Sequence, residues 1–231
     1  MRIAMWSGPR NLSTAMMYAF GARSDFAVWD EPYYAAYLAQ SGQDHPLRAK
    51  ILASGEHDPE QVADHCLGSI PGEKPHFYMK HMAHHMLDGF PLGWANDCVN
   101  IHLIRHPARV IASYAAKRQE VGLDDIGYRQ QVDVYRRVGG VVIDSADVRN
   151  NPENSLRKLC ESIGLSFDPA MLAWPKGGHV SDGVWAAHWY KAVHESTGFA
   201  GPEGPLPVLS GAAAELVAKA LPYYELMQEN L

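Results

Sequence analysis

The chain has 231 residues, with 20 Lys and Arg against 26 Asp and Glu, and its formal net charge at pH 7 is −6. A chain of this length buries about 70% of its extended surface on folding, so it can form a full core without disulfides or metals. Hydrophobic residues make up 47% and charged residues 20%, which excludes a disordered chain, and the acidic balance argues against broad binding of nucleic acid.

Short apolar runs alternate with helical segments along the chain. The first run stops at Gly8-Pro9 and is too short for a helix, which predicts a buried strand, and Asn11 or Ser13 can cap the helix that follows. The predicted strands are 2–7, 26–29, 76–80, 99–104 and 141–143. The predicted helical segments are 13–21, 33–40, a polar region over 45–67, then 107–117, 152–163 and 212–227.

Strands that alternate with helices of this length predict an α/β fold of three layers, α/β/α, with a central, mostly parallel sheet. No repeat or linker marks a boundary, so we expect a single domain over 1–231. Ligands of such sheets bind beyond the carboxyl ends of the strands. We therefore expect the segments at 7–14, 30–31, 80–81 and 105–106 to converge.

The segment from Ser7 to Thr14 joins the first strand to the first helix, where backbone N–H groups and the helix dipole favour an anion. The nucleotide-triphosphatase pattern G-x-x-x-x-G-K-[ST] is missing, because no Gly-Lys pair is present. Arg10 supplies the cation instead, and its guanidinium can fork onto two oxygens of a phosphate or sulfate. The alternative is an ordinary helix cap beside an exposed arginine.

A second candidate anion site follows the fourth strand. Arg105 ends that strand, Pro107 opens the next helix, and Ser113 lies about two turns into it. An arginine and a serine placed in this way can bind one phosphate between them. Arg105 can equally form a structural ion pair, with Ser113 packing the helix on the sheet.

Together these two segments resemble the PAPS-dependent sulfotransferase family, whose donor is 3′-phosphoadenosine 5′-phosphosulfate. The resemblance implies a sheet of the P-loop nucleotide-binding kind. The family's P-[KR]-S-G-T-T loop is similar to residues 9–14, and its R-x-P-x-x-x-x-x-S segment is similar to residues 105–113. Residues 142–148 and 152–164 are similar to the family's later Y-E-D-L segment and the helix after it. The resemblance implies contacts to the 5′ end of the donor and to its 3′-phosphate from Arg10, Asn11, Ser13, Thr14, Arg105 and Ser113.

The chain departs from the family pattern in two places. Leu12 stands where the family usually has glycine, and leucine does not easily adopt a positive φ, so we expect the loop to take a different path. The family's basic R-K-G segment corresponds only to Lys176-Gly177-Gly178, which makes Lys176 a weak candidate for the donor site.

Sulfuryl transfer needs charge stabilisation on the departing oxygen and removal of the acceptor's proton. Lys80, at the end of the third strand, is a candidate cation, and Glu31 resembles the E-P carboxylate of carbohydrate and bacterial sulfotransferases. We predict Glu31 as the general base, with His81 and His84 behind it. Glu31 can instead interact with a helix dipole, and each histidine can be structural.

His81 and His85 are four residues apart and would share one face of a helix, which is a possible metal pair. The glutamate of H-E-x-x-H is missing, and sulfuryl transfer in the family needs no metal, so we predict none. Aromatic residues between Trp174 and Phe199 are interpreted as core with a partial pocket wall. The last helix should pack on the sheet or on a dimer partner.

Three functions compete. The leading prediction is a sulfotransferase that takes PAPS and a small-molecule acceptor. A P-loop kinase would need a loop lysine and usually a carboxylate for Mg²⁺, which leaves only Arg10 and Asp30 in its favour. The third is a nucleotide-binding member of the fold without catalysis. A pyridoxal phosphate enzyme is remote, because no pairing of a Schiff-base lysine with a phosphate cup is found.

The cysteines indicate the compartment. Cys66, Cys98 and Cys160 are odd in number, widely spaced and without a C-x-x-C pair, which argues against a disulfide framework. No apolar run approaches the ~20 residues of a membrane span, and the first residues do not resemble a signal peptide. We therefore expect a cytoplasmic protein without a membrane span or a nucleic-acid partner, possibly a homodimer.

Overall fold

The structure is a computed structural model that describes residues 1–115 and 121–231. Five strands form one sheet in the described part of the chain: β1 (Arg2–Ser7), β2 (Phe26–Asp30), β3 (His76–Met82), β4 (Val99–Ile104) and β5 (Val141–Asp144). The helices are α1 (Ser13–Gly21), α2 (Tyr34–Ser41), α3 (Arg48–Ser54), α4 (Pro59–Leu67), α5 (Pro107–Ala115), α6 (Leu123–Ile126), α7 (Tyr128–Val138), α8 (Ser145–Asn150), α9 (Pro152–Ser162), α10 (Ala186–Trp189), α11 (Lys191–His194) and α12 (Gly211–Gln228).

The strands lie in the order β2-β3-β1-β4-β5, and all neighbouring pairs are parallel. β1 is central, with Met5 opposite Lys80 on one side and opposite Ile101 on the other. Its near-continuous apolar run is typical of a strand that is buried on both faces. The predicted α/β fold with a parallel central sheet is confirmed.

Successive side chains of each strand point to opposite faces, and helices cover both. On one face, strand residues such as Met5 and Leu103 pack against α1 and α9. On the other face, Trp6 and Phe77 pack against α4 and α7, and Val142 lies in a cluster with α5, α7 and α12. The last helix therefore packs inside this chain, on α5 and α7.

Several boundaries differ from the prediction. β3 continues to Met82, two residues beyond its predicted end, and the polar region at 45–67 forms two helices. The second of these, α4, begins where Asp58 accepts a hydrogen bond of 2.9 Å from the Glu60 amide, ahead of Pro59 at the first helical position. The helix predicted over 107–117 begins as expected, and its last two residues lie outside the described part.

Helices α6 and α7 were not predicted. They place Ile126 and Gln131 beside the loop between β1 and α1. The Ile126 carbonyl lies against Gly8 of that loop, and the Gln131 side chain donates to the Trp6 carbonyl of β1. None of the helices described here has both the length and the apolar character needed to cross a membrane.

Candidate functional site

A cavity of about 350 Å³ opens at the carboxyl ends of the central strands. Parallel α/β sheets bind ligands at this edge, where the loops that follow the strands meet. The cavity is lined by nine of the ten residues that the sequence singled out: Arg10, Asn11, Ser13, Thr14, Glu31, Lys80, His84, Arg105 and Ser113. The predicted convergence of strand ends is therefore observed.

The loop between β1 and α1 has an unusual backbone. Arg10 and Leu12 have φ values of 63° and 72°, in the left-handed region that costs a residue other than glycine about 1 kcal/mol or more. The expectation that Leu12 would avoid a positive φ is thus wrong. Leu12 stands at the N-cap of α1, and no side chain caps the helix there. The first N–H groups of α1 therefore have no side-chain cap and are potential anion donors, and residues 12–15 line the cavity.

Three contacts from neighbouring elements fix the loop. A Cβ on Gly8 would lie 2.5 Å from the Ile126 carbonyl oxygen, so only glycine fits there. The Asn11 side-chain amide donates to the Leu103 carbonyl at 3.2 Å. Gln131 donates from Nε2 to the carbonyls of Trp6 (3.1 Å) and Leu103 (3.0 Å) and so ties the ends of β1 and β4 together. Asn11 therefore positions the loop, and Gln131 is a supporting residue that the sequence analysis missed.

The two predicted anion-binding segments contact each other directly. Arg10 Nε donates to Ser113 Oγ at 3.0 Å, and Arg105 Nη1 donates to the Arg10 carbonyl at 2.5 Å. Burial lowers the pKa of Arg10, and the positive charge of Arg105 lowers it further. Two guanidinium groups held together in this way favour an anion between them.

Arg105 also pairs with an acidic residue far along the chain. Its Nη2 contacts Glu203, which also forms an ion pair with Arg109 (Nε to Oε2, 3.0 Å) and accepts a hydrogen bond from Arg149 Nη1 at 2.7 Å. Burial alone would raise the pKa of Glu203, but the hydrogen bond and charge of Arg105, with the other two arginines, bring it below its ordinary value. Glu203 and Arg149 were not found by the sequence analysis, because nothing in their spacing relates them to Arg105.

Lys80, which also lines the cavity, is the centre of a buried charge network. Its ammonium donates to Asp30 Oδ1 at 2.9 Å, to Glu31 Oε1 at 2.5 Å and to the Tyr190 hydroxyl at 2.6 Å. The side chains of Lys80 and Asp30 are each 1% exposed, and that of Glu31 is 9% exposed. An ammonium group has three N–H donors, so these partners occupy all of them.

The C-terminal aromatic residues complete this network. The Tyr190 hydroxyl lies 2.9 Å from each oxygen of Asp30 and 3.0 Å from Glu31 Oε1, and it accepts from Trp185 Nε1 at 3.0 Å. The Tyr190 side chain also lines the cavity. The interpretation of these aromatics as core with a partial wall fits, but the specific role of Tyr190 was not predicted.

The network sets the charge state of its members. Burial raises the pKa of Glu31, against the opposing charge of Lys80. Burial alone would lower the pKa of Lys80, but the two carboxylates raise it above its ordinary value. Glu31 also has a φ of 43°, a strained backbone of the kind found at functional sites. Lys80 therefore stays charged, and Glu31 is a stronger base than a solvent-exposed glutamate.

The structure separates the histidines. Because β3 runs through Met82, Lys80 and His81 point to opposite faces of the sheet, and His81 does not line the cavity. Its ring stacks on Trp6 with centroids 4.5 Å apart, and burial lowers its pKa to about 3. We therefore do not propose His81 as a base. His84 does line the cavity.

The structure supports neither a metal site at His81 and His85 nor a donor contact from Lys176. His81 lies in β3 and His85 in the 3-10 turn that follows it, so the two do not share a helix face. In the part of the chain that the structure describes, no three side chains of His, Cys, Asp or Glu are placed to hold a metal ion. Lys176 is exposed and lies outside the cavity lining.

Comparison with known proteins agrees with this architecture. Two solved structures cover nearly the whole chain: the sulfotransferase domain from the curacin biosynthetic pathway (15% identity, TM-score 0.54, 96% of this chain and 97% of the other) and the sulfotransferase from Alicyclobacillus acidocaldarius (11%, 0.54, 98% and 94%). At these identities the likeness concerns the fold alone.

A curated relative is closer in sequence but much longer. The branched-chain-amino-acid aminotransferase-like protein 1 of Arabidopsis thaliana is 35% identical over 235 residues, which cover 99% of this chain and 42% of that protein. The chain thus spans about two-fifths of the length of this relative. The sequence model described as "Sulfotransferase domain" matches residues 1–230, and on that match the chain belongs to the sulfotransferase domain family.

Proposed function

We propose that this protein transfers a sulfuryl group from 3′-phosphoadenosine 5′-phosphosulfate to a hydroxyl or amine of a small-molecule acceptor. The observation that carries the proposal is the presence of two groups in the lining of one cavity: Arg10, Arg105 and Ser113 with the start of α1, and Glu31 with Lys80 at the ends of β2 and β3. The first group suits a donor that carries two separate anionic groups, the 5′-phosphosulfate and the 3′-phosphate. The second suits an acceptor that must lose a proton.

Donor binding is assigned from this arrangement. The uncapped start of α1, with the Ser13 and Thr14 hydroxyls, would bind the 5′-phosphosulfate, while Arg105 and Ser113 would bind the 3′-phosphate. Arg10 lies between these groups, because its side chain reaches Ser113 while its backbone belongs to the loop. Arg105 Nε is buried and has no acceptor within the described structure, which fits an arginine that receives an anionic ligand.

The reaction needs one proton acceptor and one stabilised leaving group. The acceptor oxygen or nitrogen forms a bond to sulfur as the bond from sulfur to the bridging phosphate oxygen breaks. Glu31 takes the acceptor's proton, and adenosine 3′,5′-bisphosphate leaves with the electron pair of the broken bond. Arg10 and the N–H groups of α1 stabilise the charge that develops on the departing phosphate.

Lys80 has a positioning role in this scheme. All its donors are bound to Asp30, Glu31 and Tyr190, so we do not assign it to the leaving oxygen. It holds Oε1 of Glu31, and both residues line the cavity. The same contacts weaken the kinase alternative, because Asp30 is engaged with Lys80 and Tyr190.

The test compares turnover with binding in Glu31→Gln. Wild type and variant are incubated with ³⁵S-labelled donor and a panel of hydroxyl and amine acceptors, and adenosine 3′,5′-bisphosphate is titrated separately by calorimetry. We expect the variant to bind the bisphosphate like wild type but to transfer label about 10²–10⁴-fold more slowly. The matched control is Glu161→Gln, an exposed residue on α9.

Two results would contradict the proposal. Unchanged turnover in Glu31→Gln would remove Glu31 as the base. Tight bisphosphate binding by wild type without transfer to any acceptor in the panel would favour a nucleotide-binding protein without catalysis. The cytoplasmic location and the homodimer stay predictions.

A further inference from the structure

Glu203 makes an unusual contact for a residue in an irregular segment. Its carboxylate lies among Arg105, Arg109 and Arg149, which come from the end of β4, from α5 and from α8. The Glu203 side chain is only 5% exposed. One carboxylate therefore faces three guanidinium groups, and the cluster keeps a surplus of two positive charges.

The segment that carries Glu203 is otherwise loosely held. Residues 200–206 have no regular secondary structure, and all except Glu203 are exposed. Besides the ion pairs, its bonds to the cluster are from Arg149 Nε to the Gly201 carbonyl at 2.9 Å and from Arg109 to the Gly204 carbonyl. Just before it, Phe199 packs on Trp174 with ring centroids 5.2 Å apart, which anchors the segment at that end. Its attachment beyond Phe199 is thus mainly electrostatic.

The cluster adjoins the donor cavity. Arg105 and Arg149 both line the cavity, as do Gly198 and Ala200 at the start of the segment. A phosphate dianion presents more charge and more acceptor oxygens to the arginines than one carboxylate does. It can therefore compete with Glu203 for them.

We propose that Glu203 occupies the position that receives the donor's 3′-phosphate, and that Arg149 is a further arginine of that position. When a 3′-phosphorylated nucleotide binds, its phosphate replaces the carboxylate on Arg105 and Arg149, and residues 200–205 move away. This inference rests on the proposed function, because it takes the donor's 3′-phosphate as the competing anion.

The Glu203 carboxylate should weaken the binding of a 3′-phosphorylated nucleotide. If the cavity accepts the 3′-phosphate only when Glu203 is displaced, the observed dissociation constant equals the intrinsic constant divided by the fraction of molecules in which Glu203 is already displaced. Removing the charge of Glu203 while keeping its shape should therefore tighten binding of a 3′-phosphorylated nucleotide. A nucleotide without that phosphate should not respond.

The experiment titrates adenosine 3′,5′-bisphosphate and 5′-AMP into wild type, Glu203→Gln, Arg149→Ala and the control Glu161→Gln under one salt condition. We expect Glu203→Gln to tighten bisphosphate binding by about tenfold or more and to change 5′-AMP binding by less than about twofold. Arg149→Ala should weaken the bisphosphate more than 5′-AMP. The control should match wild type for both ligands.

Hydrogen exchange gives a second measurement that needs no variant. Saturating bisphosphate should speed exchange of the amides of Ala200, Gly201, Glu203 and Gly204 in wild type, and 5′-AMP should not. Equal or weaker bisphosphate binding by Glu203→Gln, or slower exchange in this segment, would overturn the inference. Failure of the proposed function is recognised separately, because wild type would then show no preference for the bisphosphate over 5′-AMP.

Discussion

Replacing Lys80 with methionine tests the buried charge network more sharply than any other single change. Methionine keeps most of the volume of lysine and removes its charge. Asp30 and Glu31 would then face each other at side-chain exposures of 1% and 9% with no cation between them. The Tyr190 hydroxyl would be their remaining shared partner among the contacts described.

The magnitude follows from the distances. The ammonium lies 2.9 Å from Asp30 and 2.5 Å from Glu31. At an effective dielectric constant of about 20, each contact represents about 6 kcal/mol of Coulomb attraction, which desolvation of the ions offsets in large part. Removing one partner from a buried pair costs about 3–5 kcal/mol, so we expect Lys80→Met to lower the free energy of unfolding by that amount.

The decrease in unfolding free energy of Lys80→Met should depend on pH. Burial already raises the folded-state pKa of Glu31 in wild type, and without Lys80 the pKa of one carboxylate rises further, so the variant is most destabilised relative to wild type above that higher pKa. As the pH falls towards the unfolded value, proton uptake relieves the loss by about 1.4 kcal/mol per pH unit. The difference in unfolding free energy between variant and wild type should therefore narrow as the pH is lowered from neutrality.

Urea unfolding followed by tryptophan fluorescence at several pH values measures both effects. The control is Lys158→Met, on the exposed side of α9, which should change the free energy of unfolding by less than about 0.5 kcal/mol. Adding Asp30→Asn to Lys80→Met removes one unpaired charge and should recover part of the loss. A cost below about 1 kcal/mol for Lys80→Met, with no dependence on pH, would refute the network.

Three further changes test other parts of the structure. Gly8→Ala places a Cβ 2.5 Å from the Ile126 carbonyl oxygen, so it should lower the unfolding free energy by about 1–3 kcal/mol, measured by urea unfolding; an unaltered midpoint would show that the loop tolerates a side chain. His81→Phe should flatten the loss of stability on acidification: His81 has a folded pKa of about 3 against the ordinary 6.5, so between these values the unfolded state takes up a proton that the folded state does not. Wild type should therefore lose about 1.4 kcal/mol per pH unit more than the variant as the pH falls from 6.5, and parallel curves would contradict this. Tyr190→Phe leaves the Lys80 network one partner short and should cost about 1–3 kcal/mol in thermal or urea unfolding, whereas a neutral result would remove the hydroxyl from the network.

The fold was accessible from the sequence because its signals are local. Apolar runs at 2–7 and 99–104, each followed by a turn and a helix, are enough to predict a parallel sheet and the edge at which it binds ligands. Arg10 and Arg105 follow two of these strands, so their shared cavity was predicted as well.

The errors have a different origin. The end of β3 was placed two residues early, and His81 was predicted as a base behind Glu31, whereas the strand continues through Met82 and its alternation turns His81 away from the face of Lys80. Leu12 adopts a positive φ that its side chain disfavours, since the surrounding contacts fix the loop.

The missed residues depend on contacts between distant parts of the chain. Tyr190 meets Asp30 across 160 positions, and Glu203 meets Arg105 across 98. No local pattern marks either contact, and the segment around Glu203 has only the composition of a surface loop. Such partners become visible only once the fold brings them together.

The central claim is that the cavity binds a nucleotide through both of its phosphate groups. Calorimetric titration of adenosine 3′,5′-bisphosphate, 5′-AMP and Mg-ATP into wild type and Arg105→Ala tests it most directly. We predict that wild type binds the bisphosphate with micromolar affinity and the other two ligands much more weakly. Arg105→Ala should lower the affinity for the bisphosphate far more than the affinity for 5′-AMP. Equal losses for the bisphosphate and 5′-AMP, or a preference of wild type for Mg-ATP, would contradict it.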